Sequence, residues 1–465
     1  MRRQLLVLVL GLALAASLGL VERSTRLAAQ AAQATQPTAP PPSQQPSEVS
    51  TTITSGEAGT PPRFAVPDFI PMSKDAATVE ITRSIAQVLY DDLAFEREFA
   101  LVPRDTYSSI PAATSFSTVP FDRWRELNAD GVVVGTVQRN ETGVRVEVRL
   151  FNVRTRQSAF GREYSGSATN TRLYAHTVAD ELHQQQRALR GVARTKLTFN
   201  SDRDGEHMVG VEARSVKEVY ISDYDGENQR RVTTNKSLNI NSVWSPDGRS
   251  LAYTTYSKGP PNIYIANIYE GTGAPLTPPA GQSWTPVFSP DGTRVAFSST
   301  RDGNAEIYVA NRDGSNLRRL TTNPASDISP TWSPTGTQIA FTSDRAGAPQ
   351  IYVMGTDGLG LQKITTDAYA DRPTWSPAPY NEIAYASRTG NGNDIKVRDL
   401  ATGQVRQLTF GEGTNESPTF APNGRHLAFM STRSGKAHIY TIARDGRDLR
   451  QVTRAGNNFQ PDWSK

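Results

Sequence analysis

The sequence predicts a mainly β chain, a six-bladed β-propeller preceded by a small α/β domain. Three observations carry this reading. An Ile-Tyr-Val-like strand recurs with centres at Tyr220, Tyr264, Tyr308, Tyr352, Lys396 and Tyr440, every interval being 44 residues. A Leu-Thr-like strand end recurs at the same step, at Thr233, Thr277, Thr321, Thr365, Thr409 and Thr453. An aromatic-Ser-Pro-Asp-Gly element is complete at 244–248 and 288–292, weaker from Trp332, Trp375 and Phe420, and cut short at Trp463. A fixed period of this length marks repeating units that cover one another's faces.

Each unit reads as four short strands. In the unit taken as the pattern, Asn241–Trp244 is innermost, Ser250–Tyr253 second, Asn262–Ile265 third and Ala274–Thr277 outermost. Ser-Pro-Asp-Gly is a type I turn: Pro presets φ, Asp bonds the local backbone and Gly takes the last place. Asp-Gly pairs at 225–226, 313–314, 357–358 and 445–446 mark the hairpin after the third strand. The aromatics at 244, 288, 332, 375, 420 and 463 are expected between neighbouring blades. Leu197-Thr198-Phe199 matches a second strand with no first strand before it, whereas Phe459–Trp463 matches an inner strand with no blade after it. Pairing the two closes a ring over residues 191–465 and removes the open edge.

Residues 63–190 read as the α/β domain. Arg63 to Phe69 is a strand, and Thr78 to Leu93 a helix with Ile81, Ile85, Val88 and Leu89 on one stripe. Phe121 to Leu127 is a short helix. Gly131 to Val137 is a buried strand, and Val144 to Phe151 turns Val144, Val146, Val148 and Leu150 inward. Thr171 to Leu189 is a closing helix with Leu173, Val178, Leu182 and Leu189 apolar. This order suits a small sandwich with helices on one sheet.

The N-terminus has the pattern of an export signal over residues 1–31: Arg2 and Arg3, an apolar stretch from Leu5 to Val21, then Ala29-Gln30-Ala31 as a cleavage site. Residues 32–62 are rich in Pro, Gln, Ala, Thr and Ser and read as a flexible tether. Within it Val49, Thr51 and Ile53 alternate as a strand would. The formal charge is +4. Four Arg against one Glu give residues 1–31 a net +3, so the remainder is near +1, which gives a nucleic-acid partner no electrostatic support. There is no Cys, which excludes disulfides, thiolate metal sites and Cys catalysis.

Catalytic chemistry is not visible. The His residues at 176, 183, 207, 426 and 438 make no metal-ligand spacing, and there is no nucleophile elbow or phosphate loop. No cofactor and no metal are expected. Asp91-Asp92 and Asp202/Asp204 read as solvated turns or helix faces. The candidate site is the propeller mouth, where links from one blade's outer strand to the next blade's inner strand meet around the channel. Its residues are Asn241, Gln282, Trp284, Thr285, Ile328, Ser329, Asp371, Arg372, Glu416, Ser417, Phe459 and Gln460. Apolar residues set among polar ones make a docking face.

Taken together, the motifs resemble the TolB family, periplasmic propeller components of the Tol–Pal system. Asp130–Gly135, Ala175–Glu181, Gly191–Lys196 and Ser222–Gly226 look like family segments, and the Trp-Ser-Pro-Asp-Gly repeats complete the likeness. The resemblance covers about residues 48–465. It implies a non-enzymatic periplasmic adaptor supporting outer-membrane constriction in division and envelope integrity. It also implies a monomer that meets membranes only through two partners. The peptidoglycan-associated lipoprotein Pal would seat in the mouth. The C-terminal domain of TolA would take segment 48–56 by strand addition, with Glu48, Val49, Thr51 and Ile53 as its candidate contacts. A glycan- or peptide-binding propeller is the alternative, and the gating half of a serine peptidase lacks a hydrolase domain here.

Overall fold

The computed structural model describes residues 51–55, 59–141, 143–208, 211–278 and 280–465. In the α/β domain, β1 (Arg63–Ala65) lies between β3 (Ala100–Leu101) and β4 (Gly131–Arg139), parallel to both. The sheet continues through β5 (Val144–Asn152) and β6 (Ser158–Gly166), antiparallel. The strand expected from Arg63 to Phe69 is instead split. β1 ends at Ala65, and β2 (Ile70–Pro71) pairs farther along β4, because Pro67 between them has no N–H for a ladder. Gly135 on β4 is required by Phe69: a Cβ there would lie 2.3 Å from its ring.

Helix α1 (Ala76–Glu96) is capped by Asp75, whose carboxylate accepts from the Thr78 N–H at 2.9 Å. Its expected stripe, Ile81, Ile85, Val88 and Leu89, is buried. A short helix α2 (Phe121–Glu126) and a long helix α3 (Thr171–Arg187) complete the domain. On α3 two expected core residues are not core: Leu173 is exposed and Leu189 lies beyond the helix end. The buried stripe is Ala175, Val178, Ala179 and Leu182, in phase at i, i+3, i+4 and i+7. The sheet is covered on both faces. Ala65, Val102, Val132, Val134 and Phe151 pack with Trp124 of α2 in a second core.

Part of the expected tether is packed. Thr51–Ser55 forms no strand; Ile53 is buried, and its N–H donates to the Gln186 Oε1 of α3 at 2.8 Å. Gln186 Nε2 returns a bond to the Thr51 carbonyl at 3.1 Å. Glu48 and Val49, like the export signal, lie outside the described residues.

Six four-stranded sheets follow. Blade 1 is built from both ends of the propeller: the C-terminal strand Asn458–Trp463 pairs antiparallel with Lys196–Ser201. Inner, second and third strands run longer than expected, as in Asn239–Trp244, Ser250–Thr255 and Asn262–Asn267 of blade 2. The outer strand there, Gly273–Pro275, is shorter than expected. Each repeated aromatic packs on the preceding blade: Trp244 on Val219 and Ile221, Trp332 on Ile307 and Val309, Trp463 on Ala428 and Ile439.

The Thr repeat has a polar cause. Thr321 Oγ1 donates to Glu306 at 2.5 Å, Thr365 to Gln350 at 2.8 Å and Thr409 to Asp394 at 2.8 Å. Each also accepts the N–H of the next residue on the third strand. One hydroxyl thereby fastens the outer edge of a blade and satisfies a buried acid or amide.

The α/β domain seats on the turns of blades 1 and 6. Phe95 stacks on His426, Glu96 takes Arg425 and Asn423, and Arg172 reaches Asp223 and Asp225. Asp92, expected on a solvated face, is buried here, bonded to His176 Nδ1 at 2.8 Å and to the Tyr224 hydroxyl at 2.8 Å. The stretch Ala175–Glu181 gave no sign of this, because its partners come from two other segments. Burial opposes the His176 charge, but the carboxylates of Asp223 and Asp92 outweigh it and raise its pKa to about 9. This lies above the ordinary 6.5, so the fold favours the imidazolium. That contribution is complete below pH 6.5 and is lost as pH rises through about 9. We expect His176→Gln to flatten the fall in stability across that window, by on the order of 1–3 kcal/mol. Urea midpoints of both proteins at pH 6 and 9.5 check this, and parallel declines would refute it.

Candidate partner-binding mouth of the propeller

In a propeller the inner strand of each blade is an edge facing the channel. Here each of the six carries a bulge at the same place. In blade 2 the register to the second strand shifts between Ile240 and Val243, leaving Asn241 and Ser242 opposite one residue. The same shift occurs in the other five blades. The first bulge residue is left-handed in all six: Asn241, Thr285, Ser329, Arg372, Ser417 and Gln460, with φ of 50° to 54°. A non-glycine residue in that region costs about 1–2 kcal/mol, and a repeated cost of this kind calls for a purpose. Five of the six are followed by Pro, which is tolerated because this strand edge makes no further ladder.

The bulges turn these side chains into the channel, where they line a waist with a cavity of about 130 Å³. Six of the predicted mouth residues are thus brought into one ring. Five are small or neutral; the sixth, Arg372, reaches across to blade 2, its Nη1 3.5 Å from the Asn241 Oδ1. Asn241 is also tied sideways, its N–H donating to the Gln460 Oε1 at 3.1 Å. One layer deeper the wall carries Val243, Val287, Thr331, Thr374, Thr419 and Asp462. Asp462 is half-buried; it accepts from the Trp244 N–H at 2.8 Å and Thr419 Oγ1 at 3.2 Å, and its enclosure by the channel wall pushes its pKa up to about 6.

One residue before each bulge lies a second ring: Phe459, Ile240, Trp284, Ile328, Asp371 and Glu416 on blades 1 to 6, all half-buried. Blades 1–4 contribute four apolar side chains in succession, and blades 5 and 6 two acids. Phe459 carries the Lys217 Nζ 3.7 Å above its ring. Glu416 accepts from Asn393 at 2.8 Å, and Asp371 from Thr342 at 2.9 Å. Gln282 is exposed just outside this ring. Sequence reasoning missed Ile240 and Lys217. Ile240 stands 44 residues before Trp284, so the repeat step itself could have found it. Lys217 lies in the irregular link of blade 1, where no repeat signals it. The mouth is on the face away from the α/β domain, whose contacts among the described residues are with the opposite turns and the strand ends beside them, among them Asn423, Arg425, Tyr224 and Asp445.

Comparison with known proteins agrees with this architecture. Residues 188–465 match the family model described as the TolB beta propeller domain, and residues 49–159 that of the TolB amino-terminal domain. A Tol-Pal system protein TolB of Methylobacillus flagellatus is 42% identical over 382 residues, 82% of this chain and 85% of that one. Its counterpart in Desulfosudis oleivorans is 33% identical over 228 residues, 48% of this chain, and this chain spans about half of that protein's length. A crystal structure of TolB from Acinetobacter baumannii superposes with a TM-score of 0.73 at 23% identity, covering 87% of this chain and 97% of that one; at that identity it speaks for the fold. With both family models placed in order along it, the chain belongs to the TolB family.

Proposed function

We propose that the protein is a non-enzymatic periplasmic adaptor of the Tol–Pal system. In this reading Pal seats in the propeller mouth and the TolA C-terminal domain takes the segment around residues 48–56. Through them the adaptor supports outer-membrane constriction and envelope integrity. The observation that carries the reading is the paired ring at the mouth. Six strained bulges hold polar groups around a waist, under a rim apolar on blades 1–4 and acidic on blades 5 and 6. A rim of that composition suits a folded partner presenting an apolar patch beside a basic one.

The docking of Ile53 on α3 bears on the second partner. A segment whose Ile53 is buried at home offers it to another sheet only after leaving the Gln186 bonds. The same stretch is therefore shared between its own domain and TolA.

Titration calorimetry of the mature protein against the periplasmic domain of its own organism's Pal tests the mouth. Saturable binding that survives removal of residues before Arg63 is expected. Absence of binding, or binding of peptidoglycan fragments instead of Pal, would turn the reading toward a glycan-binding propeller.

A further inference from the structure

We propose that the α/β domain carries a second binding site, remote from the propeller mouth, that takes a small apolar monocarboxylate. The site is a cavity of about 450 Å³ between the sheet and the segment that covers its second face. That volume falls within the usual range for small-ligand sites, which are mostly apolar with a few convergent polar groups.

The walls are built and fixed. Trp124 and Tyr107 meet edge to face with ring centroids 5.1 Å apart. The Tyr107 hydroxyl donates to the Val102 carbonyl at 3.0 Å and accepts from the Val66 N–H at 2.9 Å, so it is spent on the scaffold. Phe69 and Ile110 complete the apolar lining. The polar groups gather on one side. Asp68 accepts from the Arg104 Nη2 and lies 3.9 Å from the Arg83 Nε. A single carboxylate therefore faces two guanidinium groups, leaving one positive charge over. Arg104 Nη1 is buried and finds no acceptor among the described residues. A buried donor without an acceptor is costly, and Arg is the side chain best shaped to take a carboxylate by two parallel bonds. The ligand chemistry follows: a carboxylate at Arg104 and Arg83, with an aromatic or aliphatic body against Trp124 and Phe69.

Two sources offer that chemistry, a peptide ending in a hydrophobic residue and a free aliphatic acid. Calorimetry of the full chain with N-acetylphenylalanine, N-acetylphenylalaninamide and hexanoate separates them. Saturable binding of either acid is expected, N-acetylphenylalanine alone marking the peptide terminus and hexanoate alone the aliphatic acid. The amide should bind at least about tenfold more weakly than the acid, as should the acid to Arg104→Gln. Arg83→Gln, on the exposed rim, should weaken the acid severalfold and serves if Arg104→Gln lowers the melting temperature. Pal binding should be unchanged in both variants. No saturable binding of either acid, equal binding of the amide, or undiminished binding by both variants would overturn the proposal.

Discussion

Removing Phe459–Lys465 is expected to abolish cooperative folding of the propeller. The last strand is the inner strand of blade 1, and three of its pairings, Phe459 with Asn200, Asp462 with Thr198 and Trp463 with Leu197, go with it. Ser464 adds two bonds to Lys196, both 2.8 Å, and Trp463 Nε1 donates to Thr195 at 2.7 Å. Trp463 is 3% exposed, and emptying such a site alone costs about 3–5 kcal/mol. The cut also takes Asp462 from the Trp244 N–H, so blades 1, 2 and 6 all lose partners. Against a typical domain stability of about 5–15 kcal/mol, the sum leaves little. Circular dichroism melts should show no sharp transition for the truncated chain, a melting point lowered by several degrees for Trp463→Ala, and almost no change for the exposed Lys465→Ala. A truncated protein melting with the full chain would refute the closed ring.

The ring was legible because its causes are local. The 44-residue step carries a turn whose chemistry is written in the sequence, most fully in blades 2 and 3: the Ser245 Oγ bonds the Asp247 carboxylate at 2.5 Å, and Gly248 follows at φ +66°. Closure was legible too, since Leu197-Thr198-Phe199 and Phe459–Trp463 each lacked what the other supplied. What stayed hidden depends on contacts between distant segments. Asp92 has the sequence environment of a solvated helix face, and only the meeting of α1, α3 and blade 1 buries it between His176 and Tyr224. The alternation of Val49, Thr51 and Ile53 reads as a strand, yet what fixes Ile53 is a side-chain amide 133 residues away. Leu173 failed for a different reason: it is apolar but out of phase with the stripe of α3, and periodicity outranks polarity there. At the mouth the residue positions were readable from the step, whereas the bulges that aim them were not. No residue type is required for the left-handed turn, and Asn, Thr, Ser, Arg and Gln all adopt it.

That mixture of residues makes the mouth's energetics testable one blade at a time. If Pal seats there, the energy should concentrate on the largest apolar side chain of the rim, since a few aromatic anchors dominate most interfaces. Trp284 is that side chain, the third in the apolar run formed by Phe459, Ile240, Trp284 and Ile328. Trp284→Ala is expected to weaken Pal binding by about 2 kcal/mol or more, roughly thirtyfold, mostly through faster dissociation. The acidic side should behave differently. Glu416 is half-buried and already engaged by Asn393; Glu416→Gln should mainly slow association and make it less sensitive to salt. Tyr269, exposed in the turn after the third strand of blade 2, is the control, and Tyr269→Ala should leave both rates unchanged. Neither mouth residue belongs to an inter-blade core, so melting temperatures should stay put and separate lost binding from lost fold. Binding kinetics indifferent to Trp284 and Glu416 but sensitive to Tyr269 would move the Pal seat from the channel mouth to the outer edge of the propeller.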